Sequence, residues 1–155
     1  MTEHPDSTLQ RLSTEVLGAY GWPPFGGTFD LIKEWPAEIP TEIGVSAFLA
    51  GGDKPIAHPV GEPSIVCFGK AEQRRGVRDR VSRHRGKIKN GPHERWAGHP
   101  AHEWLARDGF CAYSPDPNRD PDQPLRHSTS WVEHKLIAAF QRLHRTRPGG
   151  NGTAA

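Results

Sequence analysis

The chain has 155 residues, of which 32 are Gly or Pro, about 21% against roughly 12% in average usage. Leu, Ile, Val and Phe together number 29, which is low, yet the net charge is only +2. Disorder needs a poor apolar content and a large net charge together, so a domain with a modest core, ordered loops and loose tails is expected. No stretch approaches the ~20 apolar residues of a membrane span. The first residues, Met-Thr-Glu-His-Pro-Asp, lack the basic-then-apolar pattern of a secretory signal. Cys67 and Cys111 sit in separate apolar runs with no metal or redox spacing. A membrane protein, a disulfide scaffold, a zinc ribbon and a coiled coil are thereby excluded, and a reduced, cytoplasmic protein is expected.

From Ser7 to Tyr20 the pattern is helical. Ser7 and Gln10 have capping-box spacing, and Leu9, Leu12, Val16 and Tyr20 share a face. Gly21-Trp22-Pro23-Pro24 stops it, and a Pro-broken connector is expected through Pro40. Residues 43–50 read as a strand, stopped by Gly51-Gly52, and residues 64–68 as a second, ended by Gly69. Three prolines in 55–63 forbid an interior strand there.

The basic segment follows. Between Lys70 and Arg95 lie ten cations and three acids, a local +7, so the rest of the chain carries −5. Val77, Val81, His84 and Ile88 recur at helical spacing, which predicts an amphipathic helix over 74–85. A solvated helix face would account for many such runs. The imbalance with the remainder points instead to a polyanion, because clustered cations gain affinity by releasing counterions. A short helix is predicted from Pro100 to Asp108, a third strand over 110–114, and a Pro- and Asp-rich loop to Pro124. The last helix should span 131–145, with a loose end after Pro148. His99 and His102 have i, i+3 spacing but no third ligand and read as surface histidines.

Gly44-Val45-Ser46 and, twenty residues later, Cys67-Phe68-Gly69-Lys70-Ala71 resemble the two strand motifs of GIY-YIG nucleases. The resemblance continues in Arg78-Asp79-Arg80-Val81-Ser82-Arg83-His84, in Glu133-His134-Lys135-Leu136-Ile137, and in Arg147-Pro148-Gly149-Gly150-Asn151. It covers residues 43–151, with 1–42 as an N-terminal helix and connector and 152–155 as a disordered tail. It implies an α+β fold, a small three-stranded antiparallel sheet flanked by helices, with an N-terminal helical extension. It also implies a Mg²⁺-dependent endonuclease acting on DNA through the 70–95 segment, with no membrane role. Residues 1–40 are too short for a recognition domain and would pack on the core or on a second subunit, which leaves a homodimer open.

The departures are specific. Ser46 and Cys67 replace both signature tyrosines, neither Tyr20 nor Tyr113 lies in a motif, and about three extra residues separate Gly69 from Arg80. Tyr113 is expected on a strand facing the site.

Phosphodiester cleavage requires a positioned water, a proton acceptor and positive charge for the pentavalent phosphorus. The resemblance gives Glu133 the metal, Arg80 the phosphate charge, and His84 the role of base or phosphate donor. Lys70, Arg83 and Asn151 would contact substrate. Each has a plainer reading. Ser130 and Glu133 have capping-box spacing, Arg80 could be one more solvated arginine, and Asn151 an ordinary turn residue. Ser46 and Cys67 leave three functions open: a nuclease using another base, a small-molecule enzyme with Cys67 as nucleophile, or a nucleic-acid-binding module without catalysis. A thiol near Arg80 and His84 would be activated, whereas a buried strand cysteine is inert.

Overall fold

A computed structural model describes residues 7–30, 41–50, 65–72, 76–78, 81–83, 109–117, 128–148 and 151. The predicted short helix of 100–108, the loop of 118–124 and the positions of Arg80 and His84 lie outside the described residues. The strands read from sequence form an antiparallel sheet in which β2 (Gly44–Leu49) is central, flanked by β3 (Ile65–Ala71) and β4 (Phe110–Pro115). The mixed α+β architecture with an N-terminal helix is as expected.

Three local differences have clear causes. A fourth strand, β1 (Gly26–Asp30), pairs with the free side of β4. It falls where the connector was expected. Gly26-Gly27-Thr28-Phe29-Asp30 has no apolar alternation, and its register shifts between Gly26 and Phe29, so it is a strand because β4 offers an edge. Secondly, Gly69 does not end β3. It pairs with Ser46, and the strand runs on through Lys70 and Ala71 opposite Val45 and Gly44. Thirdly, the last helix begins at Thr129, and Ser128 is its N-cap, its hydroxyl accepting from the Trp131 N–H at 3.2 Å. Such a cap contributes about 1 kcal/mol.

The N-terminal helix starts at Ser7, passes into a π-turn at Ser13–Leu17 and ends in a 3₁₀ turn at Gly18–Tyr20. Leu9, Leu12, Val16 and Leu17 are buried, and Tyr20 packs edge-on to Trp131 at 4.5 Å between centroids. A buried hydrogen bond of 3.0 Å between Thr8 Oγ1 and His144 Nε2 ties this helix to the last one.

The main core lies between these helices and one face of the sheet. Val132, Leu136, Ala139 and Phe140 of the last helix meet Val45, Ala47 and Leu49 of β2, Phe68 of β3 and Ala112 of β4. Side chains alternate along a strand. Register therefore sends Gly44, Ser46 and Phe48, with Cys67, Gly69, Cys111 and Tyr113, to the opposite face. Val77 and Val81 of the basic segment, helical at 76–78 and 81–83, are buried outside the helix-side cluster, as their spacing predicts.

Two glycines are sterically required. A Cβ on Gly44 would strike the Ser114 carbonyl and come within 3.0 Å of Pro115 Cα. Gly76 has φ +50, and a Cβ there would strike the carbonyls of Thr41 and Glu42, while the next N–H, that of Val77, donates to the Glu42 carbonyl at 2.9 Å. Gly44→Ala and Gly76→Ala are each expected to lower unfolding free energy by about 1–3 kcal/mol. Gly18→Ala, whose new methyl meets Ser13 O at an ordinary 3.5 Å within helical backbone, is expected to be neutral or to stabilise by up to about 1 kcal/mol. Urea titrations of the three variants check the contrast.

Candidate functional site at the β3 edge

Among the described residues β3 pairs with β2 on one side only, and its other side is a sheet edge. Three chain segments distant in sequence meet there. Arg145 closes the last helix in the left-handed region (φ 66), its N–H donating to Gln141 O at 2.8 Å. The chain beyond it reaches β3, where Asn151 clasps Phe68. The Phe68 N–H donates to Asn151 Oδ1 at 2.7 Å, and Asn151 Nδ2 donates to the Phe68 carbonyl at 3.1 Å. One side-chain amide thus satisfies both backbone groups of the middle residue of Cys67-Phe68-Gly69. Asn151 is therefore more than an ordinary turn residue. Pro148 is buried, so the chain is placed there despite the loose end expected after that residue.

The start of the last helix comes to the same edge. Lys70 Nζ donates to Ser130 Oγ at 3.0 Å and lies 3.9 Å from Glu72 Oε2. Glu72 Oε1 accepts from Thr129 Oγ1 at 2.8 Å and from the Ser130 N–H at 3.2 Å. A carboxylate at a helix N-terminus opposes the positive end of the helix dipole. The same bonds correct the capping-box reading of Glu133. The Ser130 N–H that Glu133 would have accepted goes to Glu72, and the cap belongs to Ser128. Glu133 is half-buried and falls within the buried arc of the helix, between Phe140 and His144. At 100° per residue it falls on the Ser130 side of that arc, the side facing the β3 edge. Helix capping therefore does not explain it.

Ser46 and Cys67 share a face, as expected for the two motif positions, but that face is turned away from the last helix. Phe68, the neighbour of Cys67, points to the helix and meets the Phe140 ring at 6.1 Å. Cys67 therefore points away from Glu133, and the two do not share a pocket. Both motif residues are closed off, Ser46 at 0% and Cys67 at 3% exposure. The Ser46 hydroxyl has no hydrogen-bond partner among the described residues. Cys67 and Cys111 both stand opposite Phe48, on either side of it. Two strand spacings, about 10 Å, separate them, beyond disulfide reach. Neither is in a disulfide, and both are buried.

Tyr113 is the phenol on this face. It pairs directly with Ser46 across β2 and β4 and is half-buried. Burial raises its pKa above the ordinary 10.0, and the negative charge of Glu42 and then Cys111 add to the rise. Near neutral pH it is thus a hydrogen-bond donor rather than a proton acceptor. Arg83 is exposed on the basic segment, and Lys70 is committed to Ser130 and Glu72.

Sequence reasoning passed over Glu72 and Ser128, and read Ser130 only as a cap for Glu133. The spacing Ser128-x-x-Trp131 carries no capping-box signature, and a cap supplied by a carboxylate 57 positions upstream leaves no local pattern.

Removing the clasp with Asn151→Ala should cost about 1–2 kcal/mol and speed amide exchange at Phe68, because one edge N–H loses its acceptor. Ellman's reagent should find no reactive thiol in the native chain and two after unfolding. One fast native thiol that disappears in Cys67→Ala would restore that residue as a nucleophile. For Tyr113 the folded chain favours the neutral phenol, so its contribution to stability is full below the unfolded value of about 10 and is lost as pH rises through the higher folded value. Alkaline titration at 295 nm should show a late-ionising phenol that Tyr113→Phe removes.

No protein-family model matches the chain, and no curated protein and no solved structure is found to be similar to it. The chemistry available at the β3 edge therefore decides between the functional readings.

Proposed function

We propose that the chain is a GIY-YIG-like phosphodiesterase that nicks DNA. The Asn151 clasp on Phe68 carries the reading. It joins the Arg147–Asn151 motif to the middle of the Cys67–Gly69 motif, 83 residues apart, by two hydrogen bonds. The Gly44–Ser46 motif is paired alongside, with Ser46 opposite Gly69. Chance motifs scattered over a chain have no reason to meet in this way.

In this reading Ser46 and Cys67 fill space, and the chemistry falls to other groups. Glu133 would hold a hydrated Mg²⁺ as the single protein carboxylate, since among the described residues no three of His, Cys, Asp and Glu gather. Its half-buried position on the Ser130 side of the helix fits such an ion. The bound ion supplies positive charge to the phosphoryl oxygens. The Arg80 guanidinium would hold a second phosphate oxygen through its planar fork. His84 would accept the proton of the attacking water. Asn151 fixes the edge strand, so that these groups act on a rigid border.

A second reading is favoured by the closure of Ser46 and Cys67. With neither motif position open to substrate, the chain would bind nucleic acid through its basic segment without cutting it. Cys67 as a small-molecule nucleophile is disfavoured by the same burial.

Conversion of supercoiled plasmid to open circles separates the two readings. The nuclease reading expects Mg²⁺-dependent nicking that EDTA stops. Glu133→Ala and Arg80→Ala should each slow it by about 10²–10³-fold, the usual cost of losing one charge-stabilising group. Cys67→Ala should retain it. Nicking that ignores Glu133→Ala contradicts the nuclease, and salt-sensitive binding with no nicking selects the binding module.

A further inference from the structure

The last helix has a second side that the proposed chemistry does not use. Trp131, His134, Lys135 and Ala138 follow i, i+3, i+4, i+7 spacing and face away from the buried residues Val132, Leu136, Ala139 and Phe140. They border an open groove of about 490 Å³ that ends at Arg147. This is the size of a site for one or two nucleotide units, within the roughly 300–1,000 Å³ of ligand clefts.

The groove combines two chemistries. Its floor is apolar, from Trp131, Ile137 and Ala138, and Trp131 and Ile137 are anchored against the core. Its rim is cationic, from Lys135 and Arg147 with His134 beside them, and no carboxylate is among its described lining residues. The Lys135 ammonium sits over the Trp131 ring, 5.0 Å from the centroid, and the ring is braced edge-on by Tyr20. A cation and an aromatic plane held at one point match a nucleotide, which brings a phosphate and a base. A phosphate entering the groove would pair with the ammonium, and the base would stack on the indole beside it.

We infer that this groove binds single-stranded nucleic acid, one base stacking on Trp131 and the neighbouring phosphates pairing with Lys135 and Arg147. Single strands fit because their bases are free to stack, whereas a duplex presents only its backbone. The inference rests on the nucleic-acid part of the proposed function but not on cleavage. It places a strand along the outer side of the helix whose other side borders Glu133.

Fluorescence anisotropy of a labelled twelve-residue oligothymidylate, read in EDTA with the full chain at several salt concentrations, tests it. Lys135→Gln/Arg147→Gln should weaken binding at least about tenfold and flatten the log–log salt slope by about 1.4, since each phosphate contact in a single strand contributes roughly 0.7. Trp131→Leu should weaken binding about tenfold with the slope unchanged, as for loss of one stacked base. Trp131 also braces Tyr20, so the double variant, at exposed positions, carries the test if Trp131→Leu fails to melt cooperatively. Affinity for a twelve-base-pair duplex should change by less than about twofold in both variants. The inference is overturned if wild type does not bind the oligonucleotide or if the double variant binds it as wild type does. It is equally overturned if duplex binding falls in parallel, or if free thymidine monophosphate competes as well per nucleotide as the strand. Because no metal is present in the assay, absence of nicking and failure of the groove are separate results.

Discussion

The burial of β2 on both faces governs everything else in the molecule. Strand periodicity is two, so a strand covered on both sides must divide its side chains between two interiors. Val45, Ala47 and Leu49 enter the core under the last helix, while Gly44, Ser46 and Phe48 enter the other side. A slip of one residue would exchange them. Gly44 helps to set this register, because β4 approaches so closely that no side chain fits at that position. The same division separates the motif residues. Ser46 and Cys67 go to one face, and the helix that carries Glu133 lies on the other.

The β3 edge reconciles that separation. An exposed strand edge presents unpaired backbone groups and invites association, and proteins commonly cover it. Here Asn151 pairs with both groups of Phe68, and the Lys70–Glu72–Ser130 network seats the last helix beside it. The border is thus rigid and polar, with a half-buried carboxylate next to it. A polar border carrying Lys70 and Glu72 suits the proposed phosphodiester site better than the closed interior where Ser46 and Cys67 lie.

Much of the fold was legible in the chain, for identifiable reasons. β2, β3 and β4 are apolar runs bounded by turn residues, and the last helix has a clear apolar stripe. β1 was not legible, since two glycines, a threonine and an aspartate carry no strand pattern and only the free edge of β4 makes them one. Gly69 misled because a glycine usually weakens a strand, yet here it sits buried within β3, paired with Ser46. Of the candidate site, the shared face of Ser46 and Cys67 was what the resemblance implied, and the β2–β3 register produces it. The distance of both from Glu133 did not follow, because it depends on which face the helix covers. Nor did the capping of that helix by Glu72, a contact of long sequence separation.

The central claim is that Glu133 holds a divalent ion beside the β3 edge. Titrating Mn²⁺ into the ¹⁵N-labelled chain addresses it directly, because a paramagnetic ion broadens nearby amide signals. Selective loss of the signals of Ser130 to Ile137, Lys70 and Asn151, abolished by Glu133→Ala, is the predicted result. Broadening centred elsewhere, or unchanged by that substitution, would contradict the account.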